Sequence, residues 1–237
     1  MLGHIQLKIN NYIKARDYFK SALEMCENIE AIYLEGMILG SMGKSYEKTT
    51  QTKKAISYYQ KALIYFYKIE DSPGIATIHK DLGKSYFLNN NLNLAEKNYN
   101  LSKSYLDDLN EEEQLAELYH YQAELSLEKG NSIKAKNLIN KAIELSANSN
   151  NVVELYNSYL LLSKISKSLH QYKEAHFYLE KYTAYQDSLN FQRTQERLAE
   201  LSELYQAEQK EKRILEQEKE IKEQANEKLI RDQQLEN

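Results

Sequence analysis

The sequence is poor in everything that interrupts a helix, with one proline and seven glycines in 237 residues. Proline breaks a helix interior and glycine weakens it. Their scarcity, beside abundant Lys, Glu, Leu, Ala and Tyr, therefore predicts long helices joined by short turns, an all-α chain with little room for sheet. Cys26 is the only cysteine, which excludes an intrachain disulfide; on a helix it reads as a small core residue. No run of eighteen apolar residues occurs, so no membrane span is expected within the chain. Met1 is not followed by the charged, apolar and small-residue segments of a secretory signal. A formal charge of −4, evenly mixed, lacks the basic face that a phosphate backbone requires, so nucleic acid is not an expected partner.

Catalytic signatures are missing too. His4, His79, His120, His170 and His176 show no metal-binding spacing and have no cysteine partners. Gly36, Gly40 and Gly43 share one helix and read as packing positions, not as a phosphate loop. No metal, no cofactor and no enzymatic activity are expected.

What is present is a repeat. An alanine returns every forty residues, at Ala15, Ala55, Ala95, Ala135 and Ala175. Twelve positions before each stands a small residue: Gly3, Gly43, Gly83, Ala123 and Ser163. Four positions after each stands a large one: Phe19, Tyr59, Tyr99, Ile139 and Leu179. A third column holds Ala22, Ala62, Ser102 and Ala142, then breaks at Tyr182, whose ring is expected to cover the end of the array. Three matched columns at one interval imply stacked helix pairs, with small residues where helices approach and large ones filling the adjoining grooves. Gly3 already occupies the mid-helix column, so about a dozen residues of the first helix are expected to be missing and the chain to be a fragment.

Turn chemistry falls on the same period. The cluster Thr49, Thr50, Gln51 and Thr52 is expected to turn and cap the following helix. Ser72 with Pro73 reads as cap and first helical residue. Asn89, Asn90 and Asn91 end a helix, and Gly130, Asn131 and Ser132 end one helix and cap the next. Asn110 with Glu113 and Asn151 with Glu154 have capping-box spacing.

The stretches MGKSYEKTTQTKKAISYYQKAL (Met42–Leu63) and LGKSYFLNNNLNLAEKNYNLSKSYL (Leu82–Leu106) resemble the tetratricopeptide repeat family, with its L-G-x-x-Y and A-x-x-x-F/Y-x-x-A pattern. The resemblance covers about residues 1–186 as five units. It implies a right-handed α-solenoid whose period is forty residues instead of the family's usual thirty-four. It also implies that a protein or peptide ligand lies in a concave groove lined by the first helix of each pair. Carried over, the inward columns place Lys44, Lys48, Lys80, Lys84 and Phe87 beside Glu117, His120, Glu124 and Glu128. These form either a groove with a basic and an acidic half or a set of solvating charges. Lys84 stands where the family's clamp for chaperone tail carboxylates has an Asn, so that clamp is absent.

Residues 187–237 form the second expected domain. From Phe191 to Asn237 there is no Gly or Pro, with nine Lys or Arg and twelve Asp or Glu, as in an extended charged helix. Leu204, Ala207, Ile214, Ile221, Ala225 and Leu235 fall on alternating three- and four-residue steps, a coiled-coil seam diluted by Glu211, Glu218, Lys228 and Asp232. A homodimer through residues 191–237 and a solvated single helix are both compatible with it. The order of elements, with LAELSELYQAEQKEKRILEQEKEI (Leu198–Ile221) after a D-S-L turn, resembles the sensory regions of bacterial membrane-bound histidine kinases and repeat-linked transcription regulators. That resemblance implies a non-catalytic, extracytoplasmic input region, with a membrane span and an output module expected beyond residue 237. The alternative is a free-standing cytoplasmic adaptor for protein partners, and an enzyme comes third.

Overall fold

The computed structural model describes residues 2–29, 31–109 and 111–195, and positions 198, 199, 202, 206, 210, 213 and 214. Nearly every described residue lies in a helix and none lies in a strand. In order these are α1 (Leu2–Lys8), α2 (Tyr12–Ile29), α3 (Ile32–Lys48), α4 (Thr52–Lys68), α5 (Ser72–Leu88), α6 (Leu92–Leu109), α7 (Glu112–Glu128), α8 (Ser132–Asn148) and α9 (Val152–Ser168). A further helix, α10, covers residues 172–195. Consecutive helices pack as antiparallel neighbours, so the chain is an all-α solenoid.

The forty-residue period has a simple structural cause. Helices α3, α4, α5, α7, α8 and α9 each have 17 residues. The described turns between helices are three-residue connections of one design. After α3, the Thr50 N–H donates to the Glu47 carbonyl and the Gln51 N–H to the Tyr46 carbonyl. This is a Schellman turn, which satisfies the helix's last carbonyls by placing its middle residue in the left-handed region. Thr50 has φ 58°, and Asn10, Glu70, Asn90, Asn150, His170 and Gly130 occupy the same place with φ between 53° and 77°. The third residue of each connection is already the N-cap of the next helix. Helix and connection, taken twice, make one period.

This economy corrects several expected caps. The Thr49 hydroxyl donates backward to the Ser45 and Tyr46 carbonyls, while Gln51 caps α4 without a side-chain bond. Asp71 is the N-cap of α5 and Ser72 is already helical. Glu111 is the N-cap of α7, and Asn110 lies outside the described residues. Asn131 and Asn151 do cap with their side chains, accepting from the Lys134 and Glu154 amides. The Glu154 carboxylate turns to Ser158 and His120, so its capping box is only half formed.

The three columns meet as pairs. A methyl group built on Gly43 would lie 2.6 Å from the Tyr59 ring, and one on Gly3 2.5 Å from Phe19; Gly83 faces Tyr99 in the same way. Where the second-helix residue is Ile139 the partner is Ala123, and both are fully buried in one cluster. Ring volume on one helix is thus matched by missing volume on the other. Ala15, Ala55, Ala95 and Ala135 are fully buried, whereas Ala175 in the last helix is partly exposed. Ser102 stands for alanine in the third column and sends its hydroxyl to the Ala76 carbonyl at 2.8 Å, leaving no polar atom unsatisfied there. Tyr182 stacks on Tyr156 of α9 at 4.6 Å between centroids.

The chain divides into two units, Met1–Tyr185 and Gln186–Asn237. Within the second, residues 186–195 are helical, with the Thr194 hydroxyl donating to the Asn190 carbonyl. Of the expected seam, Leu204, Ala207, Ile221, Ala225 and Leu235 lie outside the described residues; Ile214 is helical and exposed.

Candidate ligand groove on the first helices

First helices also touch the next first helix along the array, α3 with α5, α5 with α7 and α7 with α9. Their shared face carries the charged residues singled out from the sequence. Lys44, Lys48 and Glu128 are exposed, and Phe87 is half-buried. Lys80 is buried and ion-paired with Glu117 of the following repeat. Lys84 pairs backward with Glu47 at 2.8 Å. His120 lies 3.0 Å from Glu154 and 3.8 Å from Glu124. The basic and acidic residues therefore interlock between repeats.

Burial and pairing oppose each other in this network, and pairing prevails at every group but Asp81. Desolvation pulls the Lys84 ammonium down, but Glu47, Asp81 and Glu117 together outweigh it and leave it raised. Burial likewise pushes Glu117 up, and Lys80 with the Tyr121 hydroxyl, 2.9 Å away, returns it below the usual carboxylate range. For His120 desolvation opposes the charge, yet hydrogen bonds to Glu124 and Glu154 raise it to about 9, so the ring is cationic at neutral pH. Asp81 is the exception. Desolvation raises it to about 6, Lys80 and Lys44 pull down, Glu47 and Glu117 push up, and among the described residues no hydrogen bond or ion pair reaches its carboxylate.

Glu47, Asp81 and Tyr121 were not among the residues singled out from the sequence, and Glu154 was singled out only for its capping-box spacing. A signal for the first existed. Lys80 and Glu117, Glu47 and Lys84, Thr77 and Gln114, and His4 and Ser41 are each 37 residues apart. That is one period less about one helical turn, the offset between neighbouring first helices.

Toward the first repeats the groove opens into a cavity of about 700 Å³ between α1, α3 and α5. Leu7, Tyr33, Met37, Phe66, Pro73 and Ile78 supply apolar walls, Lys44 and Asp81 stand at one end, and Gly36 and Gly40 lie on α3. The forty-residue step puts Lys80 and His120 at the position of Gly40. In those repeats a long side chain stands where α3 has bare backbone.

Among the described residues no group of three or more His, Cys, Asp or Glu could hold a metal, and no helix is long and apolar enough to cross a membrane. The histidines are spent on bridges: His79 joins the Tyr67 hydroxyl at 2.7 Å to Asn98 at 2.9 Å, and His4 reaches Ser41 at 3.0 Å.

The tetratricopeptide repeat family model matches residues 1–29 and 30–63. No curated protein sequence matches the chain. Among solved structures, BtubC (BKLC) from P. vanneervenii superposes with a TM-score of 0.70 at 18% identity, over 80% of this chain and 78% of that one. A Podosopora anserina putative kinesin light chain with nearly identical TPR-like repeats gives 0.63 at 14% identity, over 80% and 93%. A Rap protein complexed with Competence and Sporulation Factor gives 0.70 at 18%, over 77% of this chain and 51% of the Rap chain. These likenesses carry the fold across the region the sequence model leaves unmatched. The chain therefore carries a tetratricopeptide repeat segment, residues 1–63, at the head of an all-α array of the same architecture.

Proposed function

We propose that residues 1–185 are a non-catalytic scaffold that binds an extended peptide or protein segment along the face of the first helices. The observation that carries this reading is the open cavity continuous with a charged groove on α1, α3 and α5. A Rap protein of the same architecture is complexed with Competence and Sporulation Factor, which supports a binding role. The test is a titration of a positional-scanning library of 12-residue peptides by fluorescence anisotropy, against the parent and against K44E/K48E, which reverses the exposed groove lysines. A shifted sequence preference in the variant supports the groove; a parent that binds no member of the library defeats the proposal.

The finer reading makes this region the input of a bacterial signalling protein, with residues 191–237 relaying ligand state and dimerising. What favours it is the charged, glycine-free stretch after Leu189 and its apolar steps at Leu204, Ala207, Ile214 and Ile221. Sedimentation with and without residues 191–237 tests the dimer. A mass that stays monomeric in both defeats it.

A further inference from the structure

The first three repeats differ from the rest of the groove in one respect, and it concerns a hole and a charge. Lys80 and His120, one and two periods after Gly40, project into the groove and are tied to carboxylates of the next repeat. Gly40 has no side chain to project, and Gly36, three residues after Tyr33 on the same helix, has none either. The resulting cavity of about 700 Å³ is within the range of small-ligand sites and several times the volume of one large side chain. Its walls are mostly apolar. Tyr33 and Met37 remain more than a third exposed, so among the described residues nothing covers this apolar surface.

At the α5 end stands Asp81. Glu47 and Glu117 near it already have their lysines, Lys84 and Lys80. Lys44, which is 37 residues before Asp81 and so at the offset that elsewhere makes ion pairs, is exposed and forms none with it. Asp81 is half-buried at the cavity's edge and no described residue bonds its carboxylate, so a cation placed there would gain a charge-assisted hydrogen bond.

From this geometry we infer that the cavity takes a large apolar side chain of an extended peptide while an adjacent lysine or arginine of that peptide supplies the missing partner of Asp81. This rests on the peptide-groove reading above and names the chemistry the groove selects. Size comes from the cavity that Tyr33, Met37, Phe66 and Ile78 wall beside the bare backbone of Gly36 and Gly40, and charge from a carboxylate that no described residue pairs. An acidic residue in the same place would meet the Asp81 carboxylate without gaining Lys80 or Lys84, which Glu117 and Glu47 already hold, so the charge preference rests on Asp81.

The experiment uses the full chain and four capped synthetic peptides of one Gly/Ser frame that differ at two adjacent positions: Phe-Arg, Phe-Gln, Phe-Glu and Ala-Arg. Dissociation constants are measured at pH 7.5. The inference expects Phe-Arg to bind at least about tenfold more tightly than Phe-Glu and at least about tenfold more tightly than Ala-Arg. D81N reduces the first ratio to within about threefold while leaving the preference for Phe over Ala, the loss expected when one charged partner becomes neutral. G40L, which fills the cavity, removes the preference for Phe; its folding is checked by far-UV circular dichroism. The peptide comparison on the unaltered chain depends on no variant. Equal binding of Phe-Arg and Phe-Glu, or a charge preference that survives D81N, overturns the inference. If library peptides bind and respond to K44E/K48E but not to G40L or D81N, this inference fails while the groove reading stands. If no peptide binds, both fail.

Discussion

Replacing Gly43 by alanine tests the packing rule on which the array is built. In an isolated helix the change stabilises by about 1 kcal/mol, because alanine has the higher helix propensity. Here the new methyl carbon would sit 2.6 Å from two carbons of the Tyr59 ring, where ordinary contact begins at 3.4 Å. Ring or helix must therefore yield by roughly 0.8 Å. Tyr59 is fully buried, and Ala55 and Ala62 of the same cluster are equally closed, so the ring has no free space to enter. Overpacking of this kind costs about 1–3 kcal/mol, and the lack of relaxation space favours the upper end. The net effect of G43A is a destabilisation of about 2 kcal/mol, or roughly 4–8 °C in Tm for a domain of this size. The decisive step is the cycle with Y59I, which copies the Ala123 and Ile139 pair found two periods on. Y59I alone opens a cavity and loses the hydroxyl contact to Glu47, so it destabilises. In the Y59I background, however, G43A has room and becomes stabilising by about 1 kcal/mol, a coupling of about 3 kcal/mol. Urea unfolding followed by far-UV circular dichroism reads all four corners. A G43A variant as stable as the parent, or equal effects of G43A in both backgrounds, would refute the size-matching argument.

Thr50 is a β-branched residue at φ 58°, so T50G is expected to stabilise by about 1 kcal/mol, seen as a higher urea midpoint with an unchanged slope. G130A, at φ 77° in the equivalent place, should destabilise by a similar amount in the same assay. His120 has a folded-state pKa of about 9, above its ordinary 6.5, so its contribution is complete below pH 6.5 and fades as the pH rises through 9. Its neighbours Glu124 on its own helix and Glu154 on α9 are the groups that hold the charge. The decline in stability over that window, at most a few kcal/mol, should be absent from H120Q in melts at pH 6 and pH 9.5.

Much of the architecture was legible because stacking forces the same sizes to recur at one interval. The Ala15 to Ala135 column, the glycines opposite aromatic rings and the positions of the turns all follow from that constraint. The caps were less legible. A cap read from side-chain chemistry alone favours Ser72 or the threonines near 50, but a connection only three residues long fixes the N-cap by backbone geometry, and Asp71 and Gln51 hold it without side-chain bonds. Charges on the first helices could be read from the sequence, but not the pairing of Lys84 with Glu47 or of His120 with Glu154. Lys84 and Glu47 share no local pattern, and only the 37-residue offset between neighbouring first helices joins them. Gly40 was legible as a packing position, since a methyl there would lie 2.9 Å from Ile78, yet the cavity beside it depends on side chains of four helices that no single stretch of sequence displays.

Above all, the first helices are the proposed binding face. Hydrogen exchange of the full chain, with and without the tightest-binding library peptide, tests it directly. Slower exchange in α1, α3 and α5, with α4, α6 and α8 unchanged, is the predicted result. Protection falling on the second helices instead would contradict the claim.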